Sequence, residues 1–587
     1  MRIKRSMLVV LLCVLSAGVF LPALNGGLVW DDINVQYHQL PHIATVKESF
    51  FPPPGIPEFS TSYYRPIVLV SYLVDRFISG AMPPSLQTTY ASAVVPHLSN
   101  LVFHVCTSLV VLVLAGLVFG KSEGSLVSCF VAASFFALHP AHVESVCSIA
   151  GRSDILATLF TLGAVLLLYR YLQTGFGPTV LGGLVAFSFG MLSKEVSIVA
   201  PVLLLLVVES RPGSLPPATP GSRLRVWVVA SGMALVVSAY LFLRRAAGMG
   251  FGGSTDLSVA EGVDHIFRAL SFYVAKTAFP WPRQHFVPQL PSLSYAMTVL
   301  LMGLAGVAGI LKALPRHRRV VVVGCVLFLV ALAPALLLSF RPLAVTPLAE
   351  RYLYLPAVGA ALIAAALHRG LGQLHPLHRA YWNLAMFSCL AAFAVSSIAG
   401  SLSWRSNVAF WESLERQSSL ADHPVVLGNL GDACTEAGLF SKARDVYSRG
   451  LRREYGVNLP AYIDMVQRLG ELCRIEADQL LRAANYGAAL NKANEGIPLL
   501  EMATRNPGRD YPFAFASLGG ALLVKALAEG YLTKQPNFEV IDRARENLVR
   551  SMTLNPGDPF AGTLLAECDA AVQQLLSAEG PPDRPVE

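Results

Sequence analysis

The sequence has 587 residues, of which 54% are hydrophobic and 14% are charged, and its formal net charge is +7. A typical soluble domain is about 25% charged, so the composition excludes a fully soluble chain and indicates an integral membrane protein. The small net charge, without a basic patch interleaved with aromatic residues, excludes nucleic acid as a partner. The nine cysteines show no Cys-x-x-Cys spacing, which argues against a zinc site and a disulfide framework.

Apolar segments separated by short polar loops fill the chain up to about residue 404. The first segment could belong to a cleaved signal peptide, but no Ala-x-Ala cleavage site follows it, so we interpret it as a transmembrane helix. A span needs about 20 residues, with about 17 as the usual lower limit. We predict eleven spans, at 7–24, 94–119, 125–138, 155–173, 178–192, 196–210, 224–243, 294–312, 319–340, 352–369 and 381–403. The short ones among them need tilt or their flanking residues to complete the crossing.

The basic residues orient these spans. Eleven spans that start in the cytoplasm place the basic loops 209–225, 312–319 and 368–379 inside, as the positive-inside rule requires. The segment 266–281 contains Arg268 and Lys276 and is predicted to be an amphipathic helix at the membrane interface. The N-terminus is then cytoplasmic, and the loops 25–93, 139–154, 193–195, 244–293 and 341–351 lie on the outer face of a bacterial inner membrane or an ER-type membrane.

The C-terminal part is amphipathic and predicts a soluble domain in the periplasm or lumen. Its residues 425–453 have the small and apolar positions of a tetratricopeptide repeat, and a generic helical domain is the alternative. A repeat solenoid offers a concave groove for a protein partner. The predicted fold is therefore all-α: a polytopic membrane domain (1–404), a tetratricopeptide-repeat α-solenoid (405–575) and a disordered tail (576–587).

Two adjacent carboxylates, Asp31 and Asp32, follow the first span in the motif "WDDINV". They could simply mark a turn at the outer end of this span. Charged groups packed against membrane ends are costly, however, and they often mark a functional site. The functional interpretation is that one of the two carboxylates is a general base.

Other ionisable and polar residues lie in the same outer loops. The motif "LHPAHVESV" contains His139, His142 and Glu144, but two histidines and one carboxylate at this spacing are weak evidence for a metal ion. We favour hydrogen bonding to a substrate, with polar packing as the structural alternative. Candidate phosphate-binding cations are Arg65, Arg152, Lys194 and Arg351, and further candidate substrate-binding residues are Tyr64, Asp154, Glu195 and Glu350.

Five motifs of the membrane part carry a resemblance: "VWDDINV", "YYRPIVLVSY", "ALHPAHVESVCSIAGRSDILATLF", "MLSKEVSIVAPVLLL" and "AERYLYLP". In their order along the chain, they resemble the membrane part of the transmembrane-and-tetratricopeptide-repeat-containing O-mannosyltransferases, and more broadly the GT-C glycosyltransferases that include the protein O-mannosyltransferases. The junction at 404–432 is similar to the family's entry into its repeats, although this chain has far fewer repeats than the eukaryotic members.

The resemblance implies a donor in which a hexose such as mannose is linked to a polyprenyl phosphate, and a Ser or Thr hydroxyl as acceptor. It places the catalytic acidic pair at Asp31 and Asp32, with Asp31 as the base. The phosphate is already a good leaving group, so one carboxylate base suffices and the sugar is transferred with inversion. The resemblance assigns no particular cofactor, and a divalent metal is an alternative that we do not favour. The alternatives are a lipid or wall-glycan acceptor and a non-enzymatic envelope scaffold.

Overall fold

The computed structural model describes residues 5–53, 63–80, 91–120, 123–211, 213, 216–217, 219–250, 258–338, 346–372, 376–452, 459–505, 512–556 and 558–576. Within these ranges the chain forms helices and one isolated antiparallel bridge between Val287 and Leu348. Two compact units are present, Met1–Ser406 and Asn407–Glu587. The tail for which disorder is predicted lies outside the described residues from 577 onward.

The first unit is built from long apolar helices joined by short helical turns. A helix satisfies all its backbone hydrogen bonds internally, which is what hydrocarbon requires. The longer helices are Arg5–Gly18, Pro66–Gly80, Ala91–Phe119, Glu123–Leu138, Arg152–Thr174, Gly177–Ser193, Ala200–Ser210, Pro220–Ala246, Val259–Ala278, Leu293–Ala313, Arg318–Leu338, Ala357–Leu371 and Pro376–Ser403. The short helical turns are Leu21–Asn25, Asp31–Ile33, Asn34–Gln39, Leu40–His42, Val46–Phe50, Pro140–His142, Val143–Cys147, Glu195–Val199, Pro315–His317 and Glu350–Leu353.

Eight helices in the described part of the chain are long and apolar enough to cross a membrane, and a ninth crossing is present if one bent pair is a single span. Seven of the eight coincide with predicted spans, and the all-α polytopic class is confirmed. The remaining predicted spans fall on shorter pieces, because Gly177–Ser193 and Ala357–Leu371 are short and 196–210 is divided at Ala200.

The bent pair is the part of the membrane unit that periodicity alone does not predict. Ser125–Leu138 and Pro140–Cys147 meet at 47°, and the break falls at the residues around Pro140. Proline lacks a backbone N–H and fits the first turn of a new helix, so a new helical segment begins there. The bend turns the following residues, including Glu144, out of the line of the preceding helix.

The predicted loop 25–93 contains the helix Pro66–Gly80. This helix buries Val68 and Tyr72 in an apolar cluster with Leu156 of the helix Arg152–Thr174. It also buries Asp75, a carboxylate that requires a partner in such surroundings. The helix Pro66–Gly80 is therefore a packed part of the first unit.

The second unit consists of the helices Asn407–Glu415, Pro424–Glu436, Phe440–Leu451, Leu459–Arg482, Tyr486–Thr504, Pro512–Thr533, Phe538–Leu554 and Pro559–Leu576. Its first helix–turn–helix, over 424–451, packs closely through a small residue. A Cβ at Gly431 would lie 2.1 Å from the ring of Tyr447, so a larger residue there would separate the two helices. The turn between them contains Gly438 with φ +72°, a conformation that glycine adopts without strain.

The helix Pro512–Thr533 is apolar enough to span a membrane although it lies in the second unit. Its apolar residues have another explanation, because 72% of its most apolar window is buried. Leu518, Leu522 and Val524 belong to one core cluster with residues of the neighbouring helices. A helix that is apolar on all sides fits the interior of a helical domain.

The orientation of the membrane unit is testable by cysteine labelling. Arg318 and Lys47 are both exposed, and the positive-inside rule places Arg318 in the cytoplasm and Lys47 outside. In intact cells, a membrane-impermeant maleimide should label the Lys47→Cys chain and not the Arg318→Cys chain. The unsubstituted chain gives the background of the native cysteines. Labelling of Arg318→Cys from outside would contradict the eleven-span topology.

Candidate functional site

A polar cavity of about 270 Å³ lies in the first unit. Its walls come from four of the predicted outer loops and from the adjacent helix ends, so residues far apart in sequence meet there. The lining residues are Asp31, Asn34, Val35, Gln39, Tyr63, Arg65, Val68, Leu69, Tyr72, Glu144, Ser148, Ala150, Gly151, Ser153, Lys194, Arg351 and Tyr352. This set contains both carboxylates and cations in a chain that is only 14% charged.

Asp31 and Asp32 begin a distorted helical segment. The preceding residue, Trp30, has φ +52°, a conformation that costs a non-glycine residue of order 1–3 kcal/mol and that recurs at functional sites. The short helix Asp31–Ile33 continues as a π-helix over Asn34–Gln39, and π-helical turns are also frequent at such sites. The two aspartates then point to different environments: Asp31 is exposed and lines the cavity, whereas Asp32 is fully buried.

The carboxylate of Asp32 joins two loops. One oxygen accepts hydrogen bonds from the Ser148 hydroxyl at 2.8 Å and from the Ala150 N–H at 2.9 Å, and the other accepts from the Val29 N–H at 3.3 Å. Burial raises the pKa of Asp32 to about 7, although these donors favour the charged form. Asp32 therefore holds the loop that carries Asp31 against the loop that follows Cys147.

The loop after Cys147 approaches the backbone closely at Gly151. A Cβ there would lie 2.7 Å from the Ser145 carbonyl oxygen and 2.8 Å from the Glu144 carbonyl oxygen. Only glycine fits at this position without displacing the backbone. This close approach places Ser153 beside the cavity, at the start of the helix Arg152–Thr174.

Arg351 and Glu144 form an ion pair in the cavity wall. A guanidinium nitrogen of Arg351 lies 2.5 Å from one oxygen of Glu144, and the Arg351 N–H donates to the other oxygen at 3.1 Å. Glu144 is 1% exposed, whereas the Arg351 side chain is 26% exposed. The charge of Asp31 also acts on Arg351. Arg351 is thus fixed by a buried carboxylate and remains accessible from the cavity.

Lys194 reaches the cavity from the turn between two apolar helices. Its ammonium lies 2.6 Å from a carboxylate oxygen of Asp154 and 4.8 Å from the centre of the Tyr352 ring. Burial lowers the pKa of Lys194 to about 8, although Asp154 opposes this change. Asp154 lies at the N-terminus of its helix, where a carboxylate is favoured by the helix dipole, and so both its charge and its position stabilise the pair.

Arg65 is held less tightly than the other two cations. Its guanidinium lies 3.7 Å from a Glu195 oxygen and 3.5 Å from the Ser153 hydroxyl, and it stacks 4.4 Å from the centre of the Tyr63 ring. These separations are at or beyond the usual hydrogen-bond range. The structure thus brings Asp31, Arg65, Lys194 and Arg351 together, with Glu144 in the wall and Asp154 and Glu195 directly behind the cations.

Arg152 does not reach the cavity. It is fully buried and pairs with Asp75 at 2.5 Å, while Asn100 accepts from its Nε at 2.7 Å and Pro96 accepts from another guanidinium nitrogen at 2.8 Å. All of these partners belong to the interior of the protein. The geometry makes Arg152 a structural cation that joins three helices, so we leave it out of the phosphate-binding set.

His139, His142, Tyr64 and Glu350 are also outside the cavity lining. His139 pairs with the Thr277 carbonyl at 3.2 Å, and His142 packs between aromatic rings. The hydroxyl of Tyr64 is buried, and Glu350 pairs with Lys276 at 3.2 Å. These four residues are therefore not placed for direct contact with a ligand in the cavity.

No group of three or more His, Cys, Asp or Glu residues in the described ranges could hold a metal ion. Glu144, the carboxylate of the motif "LHPAHVESV", is engaged by Arg351 instead. The residues that sequence reasoning missed are Asp75, Ser148, Ser153, Tyr63 and Tyr352. A carboxylate such as Asp75 within an otherwise apolar helix was the available signal, because it predicts a buried cation as partner.

The fold and the cavity define an all-α, multi-pass membrane protein with a charged site among its helix ends. The sequence is 29% identical to protein O-mannosyl-transferase TMTC3 of Mus musculus over 27% of this chain and 16% of that protein. It is 36% identical to TMTC1 of Mus musculus over 20% of this chain and 11% of that protein, and 27% identical to Tmtc1 of Drosophila melanogaster over 32% and 21%.

These matches confirm the resemblance to the transmembrane-and-tetratricopeptide-repeat O-mannosyltransferases. The chain matches about a fifth or less of the length of these curated relatives. No protein-family model and no solved structure matches the sequence.

The buried Asp75–Arg152 pair gives a stability prediction. Asp75→Ala leaves the fully buried Arg152 charge without its carboxylate, so we expect the free energy of unfolding in detergent to fall by about 3–5 kcal/mol. Asp264→Ala breaks a half-buried pair with Arg268 and should cost less than about 1 kcal/mol. Equal unfolding curves for the two variants would contradict the structural role of Arg152.

Proposed function

We propose that this protein is a membrane O-mannosyltransferase that moves mannose from a polyprenyl phosphate to Ser or Thr hydroxyls of extracytoplasmic proteins. The observation that carries the proposal is the cavity in which the exposed carboxylate of Asp31 faces Arg65, Lys194 and Arg351. A carboxylate suits a general base, and cations suit a phosphate. The partial matches to named O-mannosyl-transferases support the same reaction class.

The proposed reaction needs one base and a stabilised leaving group. The acceptor hydroxyl attacks the anomeric carbon as its proton passes to Asp31, and the bond between the anomeric carbon and the phosphate oxygen breaks. The bonding electrons leave with the polyprenyl phosphate, whose added charge the cavity cations stabilise. Attack opposite the leaving group inverts the anomeric centre. General-base assistance of this kind contributes about 10²–10⁴-fold to the rate.

The carboxylates behind the cations matter for phosphate binding. Arg351 has a close carboxylate partner in Glu144 and Lys194 has one in Asp154. Arg65 stacks on Tyr63, but its polar contacts to Glu195 and Ser153 are long, at 3.7 Å and 3.5 Å. A cation that is already well paired gains less from an arriving phosphate, because it must share its charge. Arg65 is therefore the cation with the most to gain from the phosphate, and Arg351 is the one that links the phosphate to Asp31.

Asp32 has a supporting role in this proposal. Its buried carboxylate makes three hydrogen bonds to the neighbouring loops and does not face the cavity. A base must reach the acceptor hydroxyl, and of the two aspartates only Asp31 lines the cavity. The assignment of Asp31 as base and Asp32 as the residue that fixes its loop thus agrees with the geometry.

The surrounding fold suits a lipid-linked donor and a protein acceptor. The helices Pro220–Ala246 and Leu293–Ala313 bury only 17% and 6% of their most apolar windows, which leaves an apolar surface for lipid chains. In the proposal, the protein acts as a GT-C-type enzyme: the membrane holds the polyprenyl tail of the donor while the donor phosphate enters the cavity. The helical pairs of the second unit, interpreted as tetratricopeptide repeats, would bind the acceptor protein.

The base assignment is tested by Asp31→Asn, which keeps the shape of the side chain and removes its basicity. We expect transfer of mannose from synthetic polyprenyl-phosphate mannose to a Ser/Thr peptide to fall at least 100-fold, with donor binding nearly unchanged. Asp32→Asn should do less harm. Glu48→Gln, which removes a carboxylate of the same loop outside the cavity, is the matched control. Near-normal turnover of Asp31→Asn in a mass-spectrometric assay would refute the assignment.

The phosphate site is tested by Arg351→Ala. Donor binding should weaken about tenfold or more, because a charge-assisted contact to phosphate is lost, while acceptor binding should change little. Arg351→Lys should restore part of the affinity, since lysine keeps the charge and lacks the bidentate geometry. Arg319→Ala removes an exposed cation outside the cavity lining and serves as the control. Unchanged donor titration curves for Arg351→Ala would exclude the phosphate role.

A further inference from the structure

Glu195 contacts two arginines. One of its oxygens lies 3.2 Å from a guanidinium nitrogen of Arg244, and the other lies 3.7 Å from a guanidinium nitrogen of Arg65. The Glu195 side chain is 35% exposed, while Arg65 is 24% and Arg244 only 4% exposed. The three charged side chains therefore form a row that runs from the protein interior to the cavity.

Arg244, at the buried end of this row of charges, is held in place. The guanidinium of Arg244 also donates to the Tyr240 hydroxyl at 2.9 Å and to the Gly250 carbonyl at 3.0 Å. Arg244 does not line the cavity, so it has no direct access to a ligand there. Arg65 lines the cavity and has longer contacts to Glu195 and Ser153. A new anion in the cavity can thus draw Arg65 away from Glu195 without disturbing Arg244.

Glu195 is held in its charged form by these arginines. Burial raises the pKa of Glu195, but Arg65 and Arg244 outweigh this effect, and the pKa lies below its usual value. A charged Glu195 and a donor phosphate would compete for the same guanidinium of Arg65. How strongly Glu195 competes depends on how much of its charge Arg244 already satisfies.

We propose that Glu195 is a built-in competitor for Arg65 and that Arg244 is a positioning residue that weakens this competitor. This inference rests on the proposed function, because it takes the anion in the cavity to be the phosphate of the polyprenyl-linked donor. Arg244 neutralises part of Glu195 from the buried side, which leaves Arg65 free to turn to the phosphate. Arg244 therefore sets the donor affinity from outside the cavity.

The inference makes an unusual prediction for Arg244→Gln. This substitution removes a cation that a donor never touches, yet donor affinity should fall, since Glu195 then attracts Arg65 more strongly. An ion pair of this exposure is worth up to about 1 kcal/mol, so we expect the donor KM to rise about two- to five-fold. The kcat should also fall, by no more than a similar factor, because Arg65 then stabilises less of the charge that the leaving phosphate gains in the transition state.

A second substitution separates this role from a merely structural one. Adding Glu195→Gln to Arg244→Gln removes the competitor and should return the donor KM to the wild-type value or below. A structural defect that comes from the lost Arg244 contacts to Tyr240 and Gly250 would not be repaired by a change at Glu195. Arg245→Gln removes the same charge from the exposed adjacent position and should leave KM unaltered.

The experiment is a titration of the full chain in detergent with short-chain polyprenyl-phosphate mannose, followed by peptide turnover. Rescue by the double variant supports the inference, whereas an unchanged KM in Arg244→Gln, or equal impairment of the single and double variants, overturns it. If Arg244→Gln does not fold, Glu195→Gln alone decides: a two- to five-fold lower KM supports the competitor, and a higher KM overturns it. Arg65→Ala tests the proposed function separately. The proposed function fails if this variant binds the donor as well as the wild type does.

Discussion

The hydrogen bonds to the buried carboxylate of Asp32 are the interaction on which the rest of the site depends. Asp32 draws the Val29 N–H, the Ser148 hydroxyl and the Ala150 N–H to one point, and so joins two loops from distant parts of the chain. The hydrogen bond from the Val29 N–H to Asp32 spans Trp30, whose φ is +52°, and the next residue, Asp31, lines the cavity. The buried carboxylate of Asp32 thus helps to position the exposed carboxylate of Asp31.

Most of the charged groups around the cavity are also held by partners. Charged groups at the edge of a membrane are costly unless they are paired, and Arg351 and Lys194 each have a close carboxylate partner. The contact of Arg65 to its carboxylate partner, Glu195, is longer, and Glu195 also pairs with Arg244. In the proposed reaction, these pairs allow the site to exist before the donor arrives, and Arg65 remains available for the donor phosphate. Pre-organised charges of this kind favour a reaction in which a phosphate leaves.

Much of the fold follows from hydropathy. Long apolar runs such as 94–119 and 224–243 become long helices, because a backbone in hydrocarbon must satisfy its own hydrogen bonds. Hydropathy does not predict the bend near Pro140, since the break comes from a proline that starts a new helical segment and not from a change in apolarity. It also does not predict the helix Pro66–Gly80, which is only moderately apolar. Packing against other helices of the first unit stabilises this helix.

The candidate site was predictable as a set of loops and only partly as a set of contacts. Topology places the motifs around Asp31, Lys194 and Arg351 on one face, and in the structure they line one cavity. Sequence gives no distances, so Arg152 could not be separated from the cavity cations. Its partner Asp75 lies within the segment 25–93, which the predicted topology places in an outer loop. The different burial of Asp31 and Asp32, on which their proposed roles depend, is visible only in the folded chain.

The most direct test of the central claim is an experimental structure of the full chain with a non-hydrolysable polyprenyl-phosphate mannose analogue. The account predicts the phosphate in the cavity within hydrogen-bond distance, about 3 Å, of the Arg65 guanidinium, with the anomeric carbon between the phosphate and the Asp31 carboxylate. Arg65 should then have left Glu195, while Arg244 still contacts it. A donor bound elsewhere, or one whose anomeric carbon is turned away from Asp31, would contradict the proposed site.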